Sequence, residues 1–284
     1  MKSANQAIGV FDSGVGGLSV LRHLRKEYPQ ENLVYFADQA HVPYGSQNIA
    51  DIQKYSEEIT RFLLDRGAKV IVVACNTASA AALNYLRESF PNVPIVGMEP
   101  AVKPAALITK TGKVGVLATP ATFASPRYSS LMIRFAEEIM VFEDPCVGLV
   151  DLIEQGRLEA VETAGLLRDV LQPMLQDGVD TLVLGCTHYP LVLPLINEVV
   201  AANSNNASVT IIDPAPAVAR QVDRVLTQSE LGAPPSQSGL VRLFTSADTG
   251  TLGHLAEHAL GEKIPVTEIL WENSKLDTAR SDSL

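Results

Sequence analysis

Two strand-length apolar runs constrain this chain more than any other feature of it. Lys69-Val-Ile-Val-Val-Ala runs into Cys75-Asn-Thr-Ala, and Thr181-Leu-Val-Leu-Gly runs into Cys186-Thr-His-Tyr-Pro. A short continuous apolar run followed by residues at helical spacing reads as a buried strand that feeds a helix. The same pattern recurs along the chain. Ala7-Ile-Gly-Val-Phe leads through the turn Asp12-Ser-Gly-Val-Gly-Gly into a helix carrying Leu18, Leu21 and Leu24, and Leu33-Val-Tyr-Phe-Ala ends in Asp38 and a loop His41 to Ser46. Ile52, Tyr55, Ile59, Phe62 and Leu63 then mark a helix from Ile49 to Arg66, which Gly67 stops.

Further on, Thr77 to Arg87 reads as a helix and Pro94-Ile-Val-Gly as a short strand, while Pro104 weakens the case for a helix after Glu99. Lys113-Val-Gly-Val-Leu-Ala restarts the opening pattern and ends in Thr119-Pro-Ala-Thr. A strand over Glu138 to Phe142, a turn at Pro145-Cys-Val-Gly and helices over Leu149 to Glu154 and Glu159 to Gln176 precede the second thiol strand. After Cys186 the pattern gives a helix from Leu191 to Val200, a polar loop from Asn203, a strand Val209-Thr-Ile-Ile and a helix from Ala215 to Gln228. Leu231 to Gly239 is a loop, Leu240 to Thr245 the last strand, Thr249 to Leu260 the last helix, and the tail beyond Trp271 a frayed polar end. Strand-helix alternation of this kind implies an α/β fold of mostly parallel sheets flanked by helices. The restart near Lys113, with late segments free to complete the first sheet, implies two similar lobes: residues 1–97 plus 208–284, and an inserted lobe of residues 98–207.

Sequence-wide properties narrow the function. A length of 284 residues with 46% apolar content suffices for two cores, and a formal charge of -10 gives no general attraction to nucleic acid or anionic membranes. No secretory signal or membrane span is read, and three widely spaced cysteines suit reduced thiols, so a cytosolic location is expected.

Open α/β sheets bind ligands beyond the carboxyl ends of their strands, where Asp12, Asp38, Cys75, Thr119, Cys186 and Asp213 all fall. A thiol between a strand end and a helix N-terminus is poised to ionise, because unpaired backbone N–H groups there stabilise the thiolate. Asn76, Thr77 and Thr187, each beside a cysteine or one residue on, can help such N–H groups hold a carboxylate. Inverting a carbon next to a carboxylate needs a base on one face and an acid on the other, which a thiolate and a thiol supply. Cys146 has no matching frame and reads as structural. His188 is open to three readings: a core residue, a group tuning Cys186, or a soft metal ligand, although no short Cys-x-x-Cys spacing accompanies it. Asp12 is either a turn residue or a group acting on Cys75 or a substrate ammonium, and Asp151 reads as an exposed helix charge. Gly14-Val-Gly-Gly-Leu-Ser is a loose dinucleotide turn with Ser19 in place of the third glycine, and Asp38 sits where a ribose-binding acid would.

Taken together and in order, Asp12-Ser-Gly-Val-Gly-Gly, Pro43-Tyr-Gly, Cys75-Asn-Thr-Ala and Gly185-Cys-Thr-His-Tyr-Pro resemble the aspartate/glutamate racemase superfamily, and its glutamate racemases in particular, from about residue 7 to 265. The resemblance implies two α/β lobes with an active site in the cleft between them, and cofactor-independent interconversion of L- and D-glutamate that supplies peptidoglycan synthesis. It implies no cofactor and no metal. Cys75 would take the proton from D-glutamate and Cys186 from L-glutamate, assisted by Asp12 and His188 respectively. Asp12, Ser13, Tyr44, Gly45, Asn76, Thr77, Thr187 and His188 would contact substrate, with Thr119 and Thr122 as additions from the second lobe. The family's glutamate in the helix after Cys146 would correspond to Asp151, one methylene shorter. An aspartate racemase and a non-catalytic amino-acid-binding protein are the alternatives; His188 after Cys186-Thr favours glutamate, and both cysteines favour catalysis. A homodimer is expected.

Overall fold

The computed structural model describes residues 6–203 and 208–277; the extreme N-terminus, most of the polar loop after Asn203 and the end of the tail lie outside them. The chain divides into two compact units, one made of the residues up to Met98 together with those from Ala215 on, the other of Glu99–Pro214.

The first unit opens with β1 (Ala7–Asp12), α1 (Leu18–Glu27), β2 (Asn32–Ala37), α2 (Ile49–Asp65), β3 (Ala68–Val73), α3 (Asn76–Ser89) and β4 (Ile95–Val96). The apolar runs become strands because every residue of β1 and β3 is buried, so neither sheet face offers a place for a polar side chain. Apart from Asp12 at the tip of β1, Lys69 is the exception, and its ammonium lies 2.6 Å from Glu31 Oε2 with both side chains buried. The other oxygen, Oε1, accepts the Ala233 N–H at 2.6 Å.

The second unit contains α4 (Val102–Ile108), β5 (Lys113–Leu117), α5 (Pro120–Phe123), α6 (Pro126–Phe135), β6 (Met140–Asp144), α7 (Leu149–Glu154), α8 (Val161–Gln176), β7 (Thr181–Leu184), α9 (Leu193–Asn203) and β8 (Thr210–Ile212). Pro104 does not prevent α4, since it sits in the first turn, where backbone N–H groups have no intrahelical acceptor. β6 begins two residues later than the pattern suggests and runs to Asp144, which pairs with Leu117. The helix after Cys186 begins as a 3-10 turn, Tyr189–Val192, around Pro190.

The chain then returns to the first unit with α10 (Ala215–Gln228), β9 (Val241–Thr245), α11 (Thr249–Leu260) and β10 (Val266–Glu268), and ends in a hairpin of β11 (Trp271–Glu272) and β12 (Lys275–Leu276). Three elements differ from the sequence pattern. Leu240 to Thr245 is not the last strand, because β10 pairs in parallel with β9. The stretch beyond Trp271 is not frayed through Asp277: Asn273 and Ser274 both take positive φ, 48° and 64°, turning a hairpin whose Leu276 is buried in the core formed with Ile52, Ile59 and Phe62. And β8, placed with the first lobe by a division at 208, pairs with β7 in the second sheet.

Apart from the antiparallel β11/β12 hairpin, the two large sheets are wholly parallel. The first has the order β10-β9-β2-β1-β3-β4 and the second β6-β5-β7-β8. The core of the first, β2-β1-β3-β4, and the whole of the second therefore share one topology, in which the chain goes from the founding strand to one side and then crosses to the other. Such a reversal opens a crevice between the founding strand and the strand on its other side, at their carboxyl ends. That place lies between β1 and β3 in one unit and between β5 and β7 in the other. No helix among the described residues is long and apolar enough to cross a membrane.

Candidate active site

In the first unit, Asp12 ends β1 and Cys75 follows β3, so both stand at the reversal. The Ala74 N–H donates to the Phe11 carbonyl at 2.8 Å and carries the pairing of the two strands up to the thiol. Asp12 Oδ1 accepts the Gly14 N–H at 2.9 Å and shapes the turn into α1. Gly17 is required there, because a Cβ would lie 2.8 Å from that of Asp12 and 2.9 Å from the Tyr35 ring.

Cys75 is the N-cap of α3. Its sulfur accepts the Ala78 N–H at 3.4 Å, and its thiol lies 3.7 Å from Ser13 Oγ. The helix end thus directs partial positive charge at the sulfur. Asn76 and Thr77 are buried beside it, and both polar atoms of the Asn76 amide lack a hydrogen-bond partner among the described residues. An unpaired buried amide costs about 1–3 kcal/mol, so its position calls for a polar ligand. Tyr44 and Gly45 form a 3-10 turn with Ser46, and the Tyr44 hydroxyl donates to Asp38 Oδ2 at 2.7 Å. Burial, and then the Asp38 carboxylate, hold that phenol well above its ordinary range, so it remains a donor.

Asp38 is fully buried at the end of β2 and has more partners than a strand-end acid would suggest. Oδ1 accepts from Ser246 Oγ at 2.8 Å and Trp271 Nε1 at 2.7 Å, and Oδ2 faces His41 Nδ1 at 2.9 Å in addition to Tyr44. Its oxygens are committed to protein donors, which removes the one acid a ribose-binding reading would use.

In the second unit, Thr119 follows β5 and Cys186 follows β7. Gly185 lets these strand ends close: its N–H donates to the Leu117 carbonyl at 2.6 Å, and a Cβ would meet Ala118 Cβ at 2.8 Å. Thr119 caps α5, and its hydroxyl lies 3.0 Å from that of Thr122. Thr187 and His188 are buried after the thiol.

His188 Nδ1 is 3.7 Å from the Cys186 sulfur and Nε2 is 2.5 Å from Glu154 Oε1. Burial opposes a charge on the ring, but the hydrogen bonds and negative charge of Cys186 and Glu154 outweigh it and hold His188 well above the usual imidazole range. A carboxylate on Nε2 keeps a proton there and leaves Nδ1 facing the thiol.

Glu154 is the residue that sequence reasoning missed. Asp151, proposed as the family's acid, is exposed in the first turn of α7, while Glu154 at the other end of the same helix meets His188. Cys146 is buried with a φ of 45°, and burial, then Asp144, push its thiol well up. Asp213 follows β8 in the second unit, at the edge of the sheet away from the β5/β7 crevice. Among the described residues no group of three His, Cys, Asp or Glu side chains could hold a metal ion.

The family model for Asp/Glu/Hydantoin racemase matches residues 8–222. The glutamate racemase of Pseudomonas paraeruginosa is 52% identical over 247 residues, covering 87% of this chain and 91% of its own length. Among solved structures, glutamate racemase from Francisella tularensis in complex with D-glutamate superposes with a TM-score of 0.79 at 30% identity, over 95% of this chain and 99% of that one. The Escherichia coli glutamate racemase in complex with L-glutamate and the activator UDP-MurNAc-Ala gives 0.78 at 32% identity, over 95% and 99%.

Proposed function

Since the chain belongs to the Asp/Glu/Hydantoin racemase family and is a glutamate racemase, we propose that Cys75 and Cys186 are its two proton-transfer groups, acting on opposite faces of one glutamate α-carbon. The observation that carries this reading is their equivalence. Each thiol follows the strand across the topological reversal from the founding strand, in two sheets of the same order.

In the L-to-D direction the Cys186 thiolate takes the α-proton while the Cys75 thiol delivers one to the other face; the D-to-L direction exchanges the roles. His188, backed by Glu154, serves Cys186, whereas Ser13 and the α3 N-terminus serve Cys75. Asp12 assists on the Cys75 side and faces the substrate ammonium. Asn76, Thr77, Thr187, Thr119 and Thr122 hold the carboxylates through neutral donors. Tyr44, whose hydroxyl is engaged by Asp38, contributes with Gly45 through the backbone of their turn. The chemistry uses no cofactor, and D-glutamate for peptidoglycan is its product in a cytoplasmic setting that keeps all three cysteines free.

Turnover of each enantiomer in D2O tests the scheme. Two thiols predict that product carries deuterium at the α-carbon from the first turnovers while recovered substrate stays largely protiated. Cys75→Ser and Cys186→Ser should each lose about 10²–10⁴-fold in racemisation. Product that retains the substrate's own hydrogen, a single variant with full turnover, or a strict need for pyridoxal phosphate or a metal ion would reject it.

A further inference from the structure

The Asp38 cluster lies off the proton-transfer groups yet grips the turn that the proposed site uses. All four of its side-chain partners, Tyr44, His41, Ser246 and Trp271, approach the carboxylate with polar hydrogens or a ring nitrogen able to carry one. Two of the oxygen's partners come from beyond β9, so one carboxylate joins the C-terminal hairpin to the Pro43-Tyr44-Gly45 turn. The rings reinforce the link: His41 stacks on Tyr55 at 3.8 Å between centroids, and Trp271 meets His41 edge-on at 5.0 Å and Tyr55 at 5.5 Å. We propose that Asp38 is a positioning residue for glutamate binding, which sets the Tyr44-Gly45 turn and makes it depend on Trp271. The proposal rests on the reading of Tyr44 and Gly45 as substrate contacts.

A carboxylate meets this set with acceptors alone and leaves all four partners as donors. An indole N–H can only donate, so an amide at position 38 cannot turn its NH2 toward Trp271, and it must then place that NH2 against Tyr44 and His41. Asp38→Asn is therefore expected to raise the KM for glutamate about tenfold or more, the effect of disturbing one charge-assisted hydrogen bond, with a smaller change in kcat. Trp271→Phe keeps the ring and removes the N–H, so it should raise KM by a smaller factor. In the double variant the amide is free to turn its NH2 to the vacated side, and KM should fall back toward the Trp271→Phe value.

That recovery distinguishes positioning from a general structural role, in which two lesions would add. Wild-type KM in Asp38→Asn, or a double variant no better than Asp38→Asn alone, overturns the proposal. Should Asp38→Asn give no folded protein, Tyr44→Phe reads the same link by removing only the hydroxyl; an unchanged KM there also overturns it. Wild-type turnover of glutamate in the same assay separates failure of this link from failure of the racemase reading.

Discussion

Glu154 Oε1 lies 2.5 Å from His188 Nε2, while the other ring nitrogen faces the Cys186 sulfur at 3.7 Å. The first unit has no histidine in the corresponding place; its thiol has Ser13 and a helix cap instead. Two thiols that occupy equivalent strand ends are thus tuned by different means.

Glu154→Gln should expose that asymmetry. It removes a charge-assisted hydrogen bond of about 1.5–3 kcal/mol, or roughly ten- to hundredfold in rate if fully expressed. Because the two enantiomers are isoenergetic, kcat/KM must fall equally in both directions; on the proposed scheme the asymmetry shows in which proton transfer limits the rate, and the transfer between L-glutamate and Cys186 becomes the slower one. Primary isotope effects with α-deuterated enantiomers check it: the effect should grow for the L substrate and change little for the D substrate.

The raised His188 value also makes a stability prediction. A histidine raised by folding contributes fully below its unfolded value, about 6.5, and the contribution is lost as pH rises through the higher folded value. The difference in unfolding midpoint between wild type and His188→Asn should therefore be greatest on the acid side and shrink as pH climbs above about 6.5. Thermal melts across a pH series measure this, and a difference that grows with pH would contradict it.

Asn76 should show function set against stability. Replacing its unpartnered amide by alanine removes a cost of about 1–3 kcal/mol and improves helix propensity at the start of α3. Asn76→Ala is expected to melt at or above the wild-type temperature while its KM for glutamate rises at least about tenfold. A large loss of stability with unchanged KM would show the amide to be structural.

The Lys69–Glu31 pair should be intolerant of single changes. Glu31 Oε2 has no well-aligned hydrogen-bond donor, so the charge of Lys69 is what compensates it. Lys69→Met or Glu31→Gln should each cost about 3–5 kcal/mol, or roughly 6–20 °C in melting temperature. The double variant removes both charges, keeps an acceptor for the Ala233 N–H and should recover most of the loss.

Much of the fold was legible because buried parallel strands leave continuous apolar runs, and because the turn residues after them fall at recognisable places. Asp12, Cys75 and Cys186 stood out for that reason. Glu154 did not: its contact with His188 joins α7 to the loop after β7, and nothing local to α7 distinguishes it from Asp151 one turn earlier. The Asp38 cluster was hidden in the same way, since Ser246 and Trp271 are more than 200 positions from Asp38 in the chain. The hairpin at Trp271 was obscured by its composition, with Leu276 the single apolar residue after Trp271 among the described residues and Asn-Ser in the turn where Asn-Gly would have signalled it.

The first sheet is built from two stretches of chain with a whole unit between them. The pairing of β2 with β9 joins residues near position 35 to residues near 243, one of the longest loop closures the molecule makes. The uninterrupted unit, Glu99–Pro214, draws all four strands of its sheet from its own residues and needs no such closure. The edge of β2 meanwhile waits uncovered, and Asp38 at its tip acquires Ser246 and Trp271 only at the end of synthesis. A nascent chain therefore has every strand of the sheet that carries Cys186 before it has the last two strands of the sheet that carries Cys75.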